Sequence, residues 1–232
     1  MADNPVEIPV ESPPLFASVP TAARERLLQK AVTHSVAAGT VLFEQGELPT
    51  FQHVVLAGSA HLFGRSREGR EVLIEIVRPG DLLIPAAVVM QAPYLMQARV
   101  LEASRFLLID GDTFRMVMAE ELSLAQAMIA SLAVQFRRMV RQIKNLKLRS
   151  APQRVGSYIL ALSHQQNRAH RVVLPYEKNL IASELGMTRE SFSRTLSALQ
   201  RDGISVQGDT ILILDAQLLA AASGLDPLID GD

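Results

Sequence analysis

Residues 178–214 read KNLIASELGMTRESFSRTLSALQRDGISVQGDTILIL. Lys178–Leu185 carries Leu180, Ile181 and Leu185 at the spacing of a short helix. Gly186-Met187 follows, and a glycine just past a helix end accepts the left-handed backbone of a sharp turn. Thr188 is placed to cap a second helix by accepting from an early backbone N–H. That helix is expected to run to about Asp202, where Gly203 stops it. Phe192, Leu196 and Leu199 form its inner stripe. Thr188, Arg189, Glu190, Ser193, Arg194 and Ser197 fall on the outer, N-terminal side. Two short strands, Ile204–Val206 and Ile211–Leu214, are joined by Gln207-Gly208-Asp209-Thr210, whose Gly-Asp pair suits a tight hairpin. A short helix, a glycine turn, a second helix and a hairpin, in that order, predict a winged helix-turn-helix. The outer residues suit base reading. Arginine bonds bidentately to guanine, glutamate accepts from cytosine N4, and serine meets a thymine edge. The alternative is an amphipathic helix with a salt-bridged face.

Upstream, Asp112–Ala151 contains neither Gly nor Pro. Apolar residues recur at Ala125, Ile129, Leu132, Phe136, Met139, Ile143 and Leu146, in alternating steps of 4 and 3. That is a heptad seam, narrower than the stripe of a helix lying on a broad core. It predicts a dimerisation helix over 119–149, with Ile129, Leu132, Phe136, Met139, Ile143 and Leu146 at the interface. The alternative is a long helix packed on its own barrel. Pro152 then starts a further helix, ending near Gln165, and Arg171–Leu174 is a short strand.

The first half has a different rhythm. After a short helix from about Thr21 to Ala31, short apolar runs alternate with turn signals such as Glu44-Gln45-Gly46-Glu47 and Arg78-Pro79-Gly80-Asp81. Strands are expected at Val41–Phe43, His53–Leu56, Ala60–Gly64, Glu71–Val77, Leu82–Ile84, Met96–Glu102 and Arg105–Ile109. Such a series predicts an antiparallel β-roll. The fold class is therefore α+β. It comprises a loose proline-containing leader over 1–14, a roll over 15–118, the long helix, and a DNA-binding domain over 150–232 with an acidic tail.

Composition narrows the function classes. The chain has no cysteine, which excludes disulfides, thiolate zinc sites and cysteine-ligated iron–sulfur clusters. No apolar run approaches the roughly 18 residues of a membrane span, and the N-terminus lacks signal-peptide order, so a cytoplasmic protein without membrane partners is expected. A net charge of −1 conceals an uneven distribution. Residues 134–201 hold 13 Lys and Arg against 3 Asp and Glu, while 1–133 and 202–232 are both net acidic. A basic block of this kind marks a polyanion-binding surface or, alternatively, a solvated helix face. His53 and His61 have no His or carboxylate partners at strand spacing, and no Ser/His/Asp set or phosphate loop appears, so an enzyme such as a cupin-like metal barrel is disfavoured.

The roll stretches FEQGELPTFQHVVLAGSAHLF (43–63) and EGREVLIEIVRPGD (68–81), with LIASELGMTRESFSRTLSALQRDGI (180–204), resemble the CRP/FNR superfamily of bacterial regulators. The resemblance covers about residues 15–216. Glu190-Ser191-Phe192-Ser193-Arg194 matches the E-x-x-S-R pattern of the FNR branch, and Arg189 matches the leading arginine of the CRP pattern. It implies that Glu190, Ser193 and Arg194 read a palindrome of TTGAT-type half-sites, with a base or phosphate contact from Arg189. RNA polymerase is the implied further partner. FNR-like clusters need cysteines this chain lacks. Cyclic-nucleotide binding in the family needs Gly-Glu and Arg-Ser pairs, and the corresponding stretches read Leu82-Leu83-Ile84-Pro85-Ala86-Ala87 and Tyr94-Leu95-Met96-Gln97-Ala98. With no phosphate partner visible, burying an anionic nucleotide is disfavoured. The apolar stretch 85–109 resembles the NnrR/DNR branch, which implies nitric-oxide or redox sensing through haem. Leu83, Pro85, Met90, Tyr94 and Met96 are the expected effector-pocket residues, and His53 and His61 the haem-ligand candidates. An effector-independent or cyclic-nucleotide-responsive regulator remains the alternative.

Overall fold

A computed structural model describes residues 14–168 and 170–230. The expected leader lies, up to residue 13, outside the described residues. The chain divides into two compact units between Gln135 and Phe136.

In the first unit α1 (Thr21–Leu28) precedes β1 (Val32–Val36), β2 (Val41–Phe43), β3 (Phe51–Ala57), β4 (Ala60–Arg65) and β5 (Glu71–Val77). Then come α2 (Pro85–Met90), β6 (Gln97–Arg99), β7 (Ser104–Asp110) and α3 (Gly111–Glu120). The strands pair antiparallel in two sheets, ordered β1-β7-β3 and β2-β6-β4-β5, which is the expected roll. The two-residue period of β3 feeds two cores. Val54 faces one way, into a cluster with Leu107, Ile109, Leu27 and Phe114 under the helices. Val55 faces the other, into a cluster between the sheets with Leu62, Leu83 and Phe106.

Two sequence expectations fail here. Leu82–Ile84 is not a strand. It makes one isolated bridge, Val54 to Leu82, before Ile84 turns left-handed and Pro85 begins α2. β1 was absent from the expected strands because its sequence, VTHSV, buries only Val36.

The Gly- and Pro-free stretch is also not one helix. α3 ends at Glu120, and α4 (Leu122–Leu148) departs at 112°. The bend has a packing reason. Phe114 and Val117 of α3 and Leu124 and Met128 of α4 all bury in the same cluster. A straight helix would carry Met128 about 16 Å beyond Val117 and off that core. Burying two such side chains contributes about 1.5–3 kcal/mol each. No single helix among the described residues is long and apolar enough to cross a membrane.

The second unit contains α5 (Ala151–Gln165), β8 (Arg171–Val173), α6 (Lys178–Glu184), α7 (Arg189–Leu199), β9 (Ile204–Gln207), β10 (Thr210–Ile213), α8 (Ala216–Ser223) and α9 (Pro227–Asp230). Ser150 caps α5 in a reciprocal box with Gln153, as the early Pro152 suggested. The strands form a β8-β10-β9 sheet. Val155, Ile159, Phe192, Leu196, Ile211 and Leu219, from α5, α7, β10 and α8, fill one core.

Arg149, between α4 and α5, is the charged centre of this unit. Its side chain is 4% exposed and forks onto both carboxylate oxygens of Asp230. It also donates to the Gly224 carbonyl at 3.1 Å, to Ser157 Oγ at 3.2 Å and to Asn145 Oδ1 at 3.3 Å. Burial pushes the Asp230 carboxyl up, but the Arg149 bonds and the Asp226 amide hold it below the usual carboxylate range. Lys144 lies 3.7 Å from Asp226. The acidic segment therefore folds back onto the end of α4.

Breaking a buried, fully bonded pair leaves one charge without a partner. Arg149→Ala is expected to destabilise this unit by about 2–3 kcal/mol. Asp230→Asn should cost less, because the amide retains one acceptor. Denaturant midpoints of the two variants check both the size and the order.

Candidate nucleic-acid interface and effector region

The turn between α6 and α7 rests on Gly186, whose φ of +64° is the left-handed conformation read from the sequence. A Cβ there would stand 2.5 Å from Leu146 Cδ2, so α4 packs its last seam residue on this turn. Arg154 Nε donates to the Leu185 carbonyl at 2.9 Å, which satisfies an end carbonyl of α6. Thr188 is extended, and its Oγ1 accepts from Ser191 N at 3.2 Å, the expected cap of α7. α7 ends at Leu199 and a single 3-10 turn, Gln200–Asp202, carries the chain to Gly203.

The buried stripe sets the rotation of α7. Phe192, Thr195, Leu196 and Leu199 are buried. Thr188, Arg189, Glu190, Ser193, Arg194 and Ser197 are all exposed. Arg189, Ser193 and Ser197 are four residues apart, as are Glu190 and Arg194, so all share one face. Glu190 is held below its ordinary pKa by a backbone amide bond and the Thr188 hydroxyl, and is ionised at neutral pH. One carboxylate acceptor thus stands among guanidinium and hydroxyl donors, the inventory that base edges require. In the hairpin, Thr210 pairs with Gln207, leaving Gly208-Asp209 as a two-residue loop.

The basic block is less available than its charge count implied. Arg149 and Arg154 bond internally, and Lys144 faces Asp226. Arg137, Lys147, Arg168, Arg171, Arg189, Arg194 and Arg201 are exposed.

The α4 seam is open. Ile129 is 67% exposed, Phe136 60%, Met139 52% and Ile143 46%. Leu132 is half-buried, and Leu146 is shared with the turn at Gly186. The buried side of α4 is instead Leu124 and Met128.

The expected effector residues do not line one pocket. Leu83 and Pro85 are buried, Leu83 within the inter-sheet cluster, and Met96 packs against that cluster. Met90 is 73% exposed and lines no wall. Tyr94 lines a cavity of about 390 Å³ between the sheets at β1, β2 and β3, and the other four do not line that cavity. His53 lines the same cavity and His61 does not. Burial pushes both imidazoles down to about 4, so both are neutral at pH 7. Among the described residues no group of three or more His, Cys, Asp or Glu could hold a metal ion. What the sequence did not reveal is backbone strain. Ile84 and Gln91, on either side of α2, both have positive φ without being glycine. For a β-branched residue before proline such a conformation costs on the order of 1–3 kcal/mol.

Residues 153–222 match the Crp-like helix-turn-helix domain, and residues 33–121 the cyclic nucleotide-binding domain. The chain is 30% identical over 190 residues to the anaerobic regulatory protein of Pasteurella multocida, covering 79% of this chain and 69% of the relative. It is 25% identical over 211 residues to the CRP-like cAMP-activated global transcriptional regulator of Mycobacterium tuberculosis, covering 89% and 94%. FixK2 from Bradyrhizobium japonicum has the same fold, with a TM-score of 0.70 at 20% identity over 84% of this chain and 98% of that one.

Two outcomes are expected. Gly186→Ala should cost about 1–2 kcal/mol from left-handed strain, read as a lower melting point. The histidines make the roll acid-sensitive. Their folded pKa of about 4 lies below the ordinary 6.5, so their contribution is complete above pH 6.5 and is lost as pH falls toward 4. Melting temperature measured from pH 7 to 4.5 should fall, and fall less steeply in His53→Phe.

Proposed function

We propose, from the premise that this chain belongs to the CRP/FNR family of transcription regulators, that it binds a palindromic DNA site as a symmetric dimer joined along α4. The observation that carries this is the face of α7. Six polar side chains are exposed together opposite a buried stripe, and that stripe fixes which face is outward. Glu190, Ser193 and Arg194 are the base-reading trio, and the resemblance of their spacing to the FNR branch supports TTGAT-type half-sites. Arg189 and Ser197 flank the trio, and Thr188 presents its hydroxyl at the start of α7.

Ile129, Leu132, Phe136, Met139, Ile143 and Leu146 supply the dimer contact. Their spacing is that of a two-helix seam, and most are exposed in the single chain. Two copies related by a two-fold axis would present two α7 helices to major grooves about 34 Å apart. RNA polymerase is the further partner that the family resemblance supports.

The signal that sets DNA affinity is proposed to enter through the roll. The segment at α2, PAAVVM, offers no cation to a nucleotide phosphate. Arg115 donates to the Val88 carbonyl at 2.9 Å and pairs with Asp112, so it is already engaged. This supports an effector other than a cyclic nucleotide. Nitric-oxide or redox sensing, implied by the NnrR/DNR resemblance, would need a haem ligand. His53 has the better position, since it lines the cavity. A cavity of about 390 Å³ is at the small end for ligands, and a porphyrin does not fit it as it stands. His61, in β4, does not face it.

A gel shift with a TTGAT-type palindrome tests the DNA reading, and no retardation at micromolar protein would defeat it. Arg194→Ala should lower affinity for the palindrome by about 1–3 kcal/mol and leave non-specific binding nearly unchanged. Phe136→Asp should convert the dimer to monomer in sedimentation and weaken site binding in parallel. Calorimetry with cyclic AMP should register no saturable heat. An absorption spectrum after haem reconstitution, with and without nitric oxide, decides the haem reading.

A further inference from the structure

The cavity that holds His53 lies on one face of the β1-β7-β3 sheet. His34 pairs with Phe106, and His53 with Leu108, so the two-residue period turns these four side chains to the same side. Phe43 and Tyr94 form the opposite wall, their rings stacked at 3.7 Å. His53 tilts against Phe43 at 5.5 Å between centroids. The floor is thus aromatic and buried. The rim is exposed and mixed, with Leu48 65% and Val41 40% open to solvent beside exposed His34, Glu47 and Thr50. A packed roll interior would close over such a floor, and an isolated exposed leucine would need no explanation. Here the exposed apolar residues border a cavity.

The polar groups restrict what can enter. No Lys or Arg lines the cavity, and its carboxylate is Glu47, so a buried anion would lack compensation. His53 is 7% exposed, lines the cavity and donates to the Phe51 backbone. A neutral imidazole that donates through one nitrogen offers the other as an acceptor. Burial holds the imidazole neutral at pH 7, with its pKa near 4. Tyr94 is pushed up to about 12 by burial and stays protonated.

We propose that this cavity binds a neutral, flat aromatic molecule carrying one hydroxyl or N–H, of the phenol or indole class. Its donor meets the imidazole nitrogen of His53 that does not bond Phe51, and its ring lies between the Phe43–Tyr94 wall and Leu48. The cavity lining includes no residue of the α2 segment, where Leu83 and Ala87 are packed into the core. It is joined to that segment through the backbone. The His53 carbonyl accepts from Leu83 N at 3.0 Å and from Gln52 Nε2 at 3.0 Å. Gln52 Nε2 also donates to the Leu83 carbonyl at 3.1 Å. An occupant pressing on β3 therefore bears on the residue before the strained Ile84. The binding claim does not depend on the DNA reading, and its test uses no DNA.

The probe is 2-naphthol titrated into the full chain at pH 7, followed by its own fluorescence. The chain has no tryptophan to interfere. Saturable binding is expected. Naphthalene, without the donor, should bind about five- to tenfold more weakly, the worth of one hydrogen bond, and anionic 2-naphthoate weaker still. His53→Phe keeps the ring packing and should lower 2-naphthol affinity by about the same factor without changing naphthalene. His53→Gln, which retains an acceptor, should recover part of the loss. Leu48→Trp alters only the exposed rim, folds independently of the core, and should block both ligands by calorimetry. Equal affinity for 2-naphthol and naphthalene would overturn the proposal. So would unchanged 2-naphthol binding in Leu48→Trp, or no saturation below about 1 mM, the weak limit of specific binding.

Discussion

α4 has to bury two different apolar surfaces, and one chain supplies a partner for only one. Near its start, Leu124 and Met128 are sealed into the core beneath the β1-β7-β3 sheet. The seam from Ile129 to Ile143 points elsewhere and stays open to solvent. Exposed apolar area of this length is costly in water, at roughly 25 cal/mol for each Å² left unburied. A second copy of the same helix is the simplest cover, because a heptad stripe is complementary to itself about a two-fold axis. The 112° break before α4 serves the same constraint. It lets α3 and the start of α4 share one core while the remainder of α4 leaves it.

The DNA-binding unit shows how few local devices position a recognition surface. Gly186 permits the turn, Thr188 closes the first turn of α7, and the stripe at Phe192, Leu196 and Leu199 fixes the rotation. The outward face then follows without any contact among the outer residues themselves. Charge has two uses in this unit. Arg149 and Arg154 hold backbone and carboxylate groups inside it, while Arg189 and Arg194 lie exposed on the surface. A count of basic residues does not distinguish these uses.

The roll combines a family fold with an unusual interior. α2 is apolar and is flanked by two non-glycine residues in left-handed backbone. Strain of that kind persists only where surrounding packing over-determines it, and segments holding it are suited to two alternative arrangements. The cavity that His53 lines is instead beside β3, with an aromatic floor formed by Phe43, Tyr94 and Phe106. Its chemistry selects for neutral aromatic molecules more readily than for a macrocycle or an anion.

By itself the sequence determined the features that rest on short-range rules. The turn at Gly186, the cap at Thr188 and the Gly208-Asp209 hairpin each depend on residues within a few positions of one another, and each is found where expected. β5 was legible to the residue for the same reason. Tertiary structure decided everything that required distant residues to meet. The bend at Glu121 contains no glycine or proline, and only the shared burial of Phe114, Val117, Leu124 and Met128 accounts for it. Arg149 counted as one more basic residue until Asp230, far along the chain, closed on it. Met90 and Met96 shared one apolar stretch with Tyr94, yet one is on the surface, one packs on the core, and Tyr94 lines the cavity beside β3. An apolar run indicates that side chains avoid water, but which of them enclose a space depends on where two sheets and a loop converge.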